Sequence, residues 1–134
     1  MNTIKFRAWN KANKQLGMCD ILYIDYLNKE VLAVYGETRA NQITLKFEEI
    51  ELMQYIGLKD KNDKEVYEKD IVKCIYGLAN DDSLYTGVIS MEYYSWCIVS
   101  SNNSYFTLDS AIDKNCSFEV IGNIYENPDL LKIR

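Results

Sequence analysis

The sequence predicts a mainly β protein built as a small barrel with a few long arms, not an α/β fold. Three observations lead there. Apolar and polar residues alternate at period two, as in Ile4, Phe6 and Ala8 against Lys5, Arg7 and Trp9. Turn signals recur about every eight to twelve residues along the chain. One Pro and six Gly in 134 residues are too few for a sandwich with many tight turns.

The elements follow in order. Residues 4–9 form a half-buried strand, and Asn10 to Gly17 is a polar turn. Ile21 to Leu27 and Val31 to Tyr35 are β-branched and aromatic, with Asn28-Lys29-Glu30 between them. This reads as a hairpin; a helix over 21–35 is the rival, and the β-branched content favours strand. Gly36 to Asn41 is a loop, 43–47 a strand, and Glu48 to Glu51 an acidic knuckle. Gly57 to Val72 is polar and turn-rich between apolar 52–56 and apolar 71–76, which is the form of a hairpin or long β-arm. Gly77 to Ser83 is a polar loop. Strands over 86–92 and 93–99 follow, bent between them, and Ser100 to Ser104 is a turn. Tyr105 and Phe106 resume the sheet, and Leu108 to Asp113 suits one helical turn. Phe118 to Tyr125 is the last strand, broken at Gly122. Asn127 and Pro128 then cap a tail helix over 129–133.

Composition bounds the function classes. Hydrophobic residues are 48% and charged residues 26%, ordinary for a globular chain. The net charge of −5 falls entirely after residue 56, which disfavours a general phosphate-backbone binder. Histidine is absent, so Ser-His and Cys-His nucleophile systems cannot be built in cis. Cys19, Cys74, Cys97 and Cys116 form no C-x-x-C pair, so neither a zinc site nor another cofactor is expected. Polar Asn2-Thr3 after Met1 gives no secretory signal, and no 18-residue apolar run exists. The expectation is a cytoplasmic protein with reduced thiols, away from membranes. Cys74 and Cys97 read as small core residues.

Three ordered blocks then carry a resemblance. They are Ile-Lys-Phe-Arg-Ala-Trp-Asn at 4–10, Leu-Met-Gln-Tyr-Ile-Gly-Leu-Lys-Asp-Lys-Asn-Asp-Lys-Glu-Val-Tyr-Glu-Lys-Asp-Ile-Val at 52–72, and Phe-Glu-Val-Ile-Gly-Asn-Ile-Tyr-Glu-Asn-Pro-Asp-Leu-Leu at 118–131. Together they resemble the YopX family of phage and prophage proteins. The resemblance implies an N-terminal β-rich subdomain over residues 1–50. It implies an SH3-like barrel subdomain over 51–134 with a short C-terminal helix. It also implies a homo-oligomer, a trimer being one such form, and it implies no activity. Asp63 and Lys69 stand where that family usually has glycine. Either the turn at Lys69 is not left-handed here, or it carries strain of about 1 kcal/mol.

Each candidate site has a functional and a structural reading. Lys5, Arg7 and Trp9 share a strand face, so they suit a nucleic-acid or partner surface; buried Trp9 with bordering cations is the favoured alternative. Tyr67 and Asp70 suit a ligand site, but an Asp70 bonded to its own turn is favoured. Tyr94 and Trp96 fall on one face by alternation, with Tyr93 and Ser95 on the other, in a chain with eleven tyrosines. A partner surface and plain sheet packing are equally good readings there. The acidic loop at 80–83 lacks calcium-loop spacing, and nothing places Glu48-Glu49 or Asp60/Asp63 in one cleft. The sequence therefore points away from an enzyme. It points to an oligomeric module that binds a host or phage protein, with a nucleic-acid-associated module as runner-up.

Overall fold

The computed structural model describes residues 3–36, 38, 40–75, 84–100, 104–108 and 117–131. The chain divides into two compact units, Met1–Tyr55 and Ile56–Arg134. Both are antiparallel β, and among the described residues the helical content is confined to single turns.

The first unit contains β1 (Phe6–Asn10), β2 (Met18–Asp25), β3 (Glu30–Tyr35), β4 (Asn41–Lys46) and the first residues of β5 (Ile50–Lys59). Their order is β4-β3-β2-β1-β5. The registers place Ala8 opposite Cys19 and Leu52, and Val31 opposite Ile24 and Leu45. The core follows: Ala8, Cys19, Val31, Ala33, Leu45 and Ile50, edged by Ile21, Ile24, Tyr35, Ile43 and Phe47. The 21–35 region is thus a hairpin and not the rival helix. Its first strand, β2, ends at Asp25, two residues before the expected Leu27, because the Asp25 carboxylate caps the turn. Asn28 donates to it from its backbone N–H at 3.1 Å and from Nδ2 at 2.8 Å. These bonds from Asn28, side chain foremost, hold the Asp25 pKa below its ordinary value. The acidic knuckle is a 3-10 turn over Phe47–Glu49, where Glu49 Oε1 accepts the Lys46 N–H at 2.8 Å.

In the second unit β5 continues to Lys59, beside β6 (Glu65–Tyr67). The other strands are β7 (Asp70–Ile75), β8 (Leu84–Glu92), β9 (Ser95–Val99), β10 (Tyr105–Thr107) and β11 (Ser117–Asn123). Their order is β10-β9-β8-β7-β11, a four-strand meander with the fifth strand returning beside the first. Among the described residues the order is open, with β10 and β11 at its ends. The core gathers Val66, Val72, Cys74, Ile89, Ile98, Leu108, Phe118 and Val120. Cys74 and Cys97 are buried thiols outside any disulfide, as is Cys19 in the first unit.

The break expected at Gly122 is a register shift between Val120 and Gly122 in the pairing with β7. The tail is a 3-10 turn over Pro128–Leu131. The loop at 77–83, Cys116 and the helical turn beyond Leu108 lie outside the described residues. No helix among those described is long and apolar enough to cross a membrane.

One expectation is corrected. Residues 86–99 are not two bent strands with side chains alternating through Tyr93. β8 and β9 form a hairpin in which Glu92 pairs with Ser95, leaving Tyr93-Tyr94 as a two-residue turn. Both have positive φ, 49° and 69°, the signature of a type I′ turn. Period-two alternation stops at such a turn, so it does not decide which way Tyr93 and Tyr94 face.

Candidate functional site

The block from Gly57 to Val72 holds two turns of the second unit. Asp60, at the end of β5, organises its turn. Asp60 Oδ1 accepts the backbone N–H of Asn62 and of Lys64, each at 2.9 Å, and Oδ2 accepts the Val120 N–H at 2.8 Å. The turn is also tied to β11 by the Lys61 N–H on the Phe118 carbonyl (3.0 Å) and by Asn62 Nδ2 on Glu119 Oε2 (3.2 Å). Burial would raise the Asp60 carboxyl. The bonds from Val120, Lys64 and Asn62, with the Lys64 charge, outweigh it and hold the pKa below the ordinary value. This carboxylate is committed to structure and does not suit a general acid.

Tyr67 and Asp70 close the next turn. Asp70 is 1% exposed, and its Oδ2 accepts the Tyr67 N–H at 2.8 Å. Tyr67 is buried, with its hydroxyl 3.4 Å from Glu65 Oε1. Between them Lys69 adopts φ 72°, and Asp63 in the preceding turn adopts φ 65°. Both non-glycine residues therefore keep the left-handed backbone. Lys69 is held there from two sides: its N–H donates to the Ile89 carbonyl (2.9 Å), and its carbonyl accepts the Ile124 N–H (3.1 Å). Such a conformation persists only where neighbours over-determine it.

Lys5, Arg7 and Trp9 belong to the first unit. Trp9 is 8% exposed and packs over Gly17, Arg7 is half-buried, and Lys5 is exposed. The indole is therefore not an open stacking platform. Ile4, expected on the buried face, is exposed because it precedes β1.

Tyr94 and Trp96 do come together. Both line a groove of about 430 Å³ with Ile56, Leu58, Met91, Ser95 and Leu108. Trp96 is partly buried against the core, whereas Tyr94 is 100% exposed and Tyr93 80%. Tyr93 stacks on Tyr105, with ring centroids 5.8 Å apart at 28°. Under the hairpin the Cys97 thiol lies 3.5 Å from the Ser95 carbonyl, and burial foremost pushes its pKa up. It stays a protonated core thiol. Two exposed aromatics on a left-handed turn, above an apolar groove, form the most distinctive surface of the second unit. Tyr94 and Trp96 were sequence candidates because alternation put them on one strand face. The groove wall of Ile56, Leu58 and Leu108 was missed, because those residues look like core in the sequence. A signal for the turn was present in strand-like runs flanking two residues, but Tyr-Tyr is not a turn composition.

The described residues contain no cluster of His, Cys, Asp and Glu able to hold a metal ion. A family model described as YopX protein matches residues 5–132. The fold is similar to that of protein yopX from Bacillus subtilis, with a TM-score of 0.61 and 19% identity, covering 100% of this chain and 99% of that one. It is also similar to protein EF1440 from Enterococcus faecalis, with a TM-score of 0.51 and 24% identity, covering 98% and 100% respectively. No curated protein matches the sequence.

Proposed function

The chain belongs to the YopX family, and on that premise we propose that it is a non-catalytic phage or prophage accessory protein that binds a host or phage protein. The observation that carries this reading is the hairpin tip. Tyrosine at both positive-φ positions of a two-residue turn is unfavourable where Asn-Gly would fit without strain. Strain of this kind gathers at ligand-binding sites. Here it holds two tyrosines in solvent beside an apolar groove, and Tyr and Trp are favoured in interface hot spots.

The second unit is read as an opened SH3-like barrel. A meander of four strands with the fifth returning beside the first is the strand order such a barrel requires. The acidic groups suit a non-catalytic role, since Asp60, Asp70 and Glu49 each accept backbone N–H groups. The module works as a homo-oligomer, a trimer being the form to test first by size exclusion with light scattering, and it acts in the host cytosol.

The test is capture by the tagged chain from host lysate treated with nuclease. A defined protein, recovered by the wild-type chain and lost with Tyr94→Ala, supports the proposal. Recovery of nucleic acid alone from untreated lysate overturns it in favour of a nucleic-acid-associated module.

A further inference from the structure

In the first unit, β2 loses one of its neighbours partway along. Its first half pairs with β1, where Met18, Cys19 and Asp20 lie opposite Trp9, Ala8 and Arg7. β1 begins only at Phe6, and residues 3–5 are not strand. From Ile21 to Asp25, among the described residues, β2 therefore has β3 on one side and no paired strand on the other. The register with β3 also shifts between Ile21 and Tyr23, which leaves Leu22 as a bulge. Cys19 and Ile21 pack in the core, so regular alternation would turn Tyr23 inward as well. The bulge instead leaves Leu22 and Tyr23 both exposed, while Ile24 returns to the core edge.

This is not the composition of an ordinary sheet edge. The outer strand of the same sheet, β4, exposes Asn41, Gln42, Thr44 and Lys46, the polar protection that edges usually carry. The open half of β2 reads Ile-Leu-Tyr-Ile over 21–24, with no charge and no proline. Those four residues line a concavity of about 270 Å³ with Ile4, Lys5 and Phe6. Ile4, Leu22, Tyr23, Tyr26 and Leu27 are 53–95% exposed. At about 200 Å² for a large side chain laid fully open, they present roughly 700 Å².

We propose that this edge of β2 pairs with the same edge of a second copy of the chain, about a two-fold axis. The contact rests on the homo-oligomer reading above and names its surface. The area on offer is near the roughly 800 Å² that each partner gives to a standard interface. Charge favours a second copy meeting the chain here. Residues 1–56 hold seven basic and seven acidic side chains, so two first units approach without net repulsion, whereas residues 57–134 carry all of the −5. A second β2 supplies both a strand for the open backbone and apolar side chains for the exposed ones. The Tyr93-Tyr94 tip takes no part in it.

The test is sedimentation velocity of the full chain from about 1 to about 100 µM, with hydrogen exchange on the wild type over the same range. Wild type should form pairs or a larger even-numbered assembly. The amides of Leu22 to Asp25 should exchange more slowly as concentration rises. Leu22→Lys/Tyr23→Lys places charge on the edge and should weaken association at least about 100-fold. Tyr93→Asn/Tyr94→Gly should leave the assembly unchanged. The exchange measurement needs no variant, so it decides the matter whether or not the lysine variant folds. A wild-type monomer at about 100 µM overturns this contact and the homo-oligomer reading together, and leaves the edge to a strand of another protein. A trimer, an assembly unchanged in Leu22→Lys/Tyr23→Lys, or exchange at Leu22 to Asp25 that ignores concentration overturns this contact alone.

Discussion

Replacing Lys69 with glycine should stabilise this protein although it removes a partly buried side chain. A non-glycine residue at φ 72° costs about 1–2 kcal/mol relative to the right-handed region. Glycine removes that cost but adds chain entropy to the unfolded state, about 0.5–1 kcal/mol. Both backbone bonds of residue 69, to Ile89 and Ile124, survive the change because they use main-chain atoms. The net gain is therefore about 0.5–1 kcal/mol, or about 2–4 °C in the unfolding midpoint of a chain this size. Urea denaturation followed by Trp fluorescence reads it. Lys69→Ala is the control, since alanine keeps the strained β-carbon and should stay within about 0.5 kcal/mol of wild type. If Lys69→Gly is destabilising, or if alanine stabilises as much as glycine, the strain argument is wrong.

Asp60→Asn should cost about 2 kcal/mol, since an amide cannot accept all three N–H groups that the carboxylate holds. The folded pKa of Asp60 is depressed, so its stabilisation is present above the unfolded pKa of about 3.9 and is lost as pH falls through the folded value. Denaturation midpoints at neutral and acid pH should converge between wild type and Asp60→Asn on the acid side. Gly87→Ala should cost about 2 kcal/mol by the same assay, because its Cβ would meet the Val99 carbonyl oxygen at 2.7 Å and Ile98 Cγ2 at 2.7 Å. Tyr93→Asn/Tyr94→Gly should leave the protein as stable or slightly more stable. Relief of two left-handed residues offsets the lost Tyr93–Tyr105 stacking of about 0.5–1.5 kcal/mol.

The β content was legible because period two and β-branched composition agree over most strands. Tertiary context decided the rest. Ala8 and Trp9 are neighbours in β1 and both are buried, so alternation could not assign Trp9 to an outer face. Tyr93-Tyr94 read as strand because tyrosine prefers strands, yet pairing of Glu92 with Ser95 forces the turn. Asp70 was legible, since Asp beside a tight turn bonds its own backbone, and it accepts the Tyr67 N–H. The reach of Asp60 to Val120, sixty residues away, has no local signature. Lys69 was visible only as a departure from the family's glycine, and its place in a groove needed the packing of β8, β9 and the tail.

Capture from nuclease-treated lysate with wild-type chain and with Tyr93→Asn/Tyr94→Gly tests whether the aromatic tip binds a protein partner. The variant keeps the fold and removes the aromatic tip. A defined protein should be recovered by wild type and lost with the variant. Equal recovery by both would contradict it.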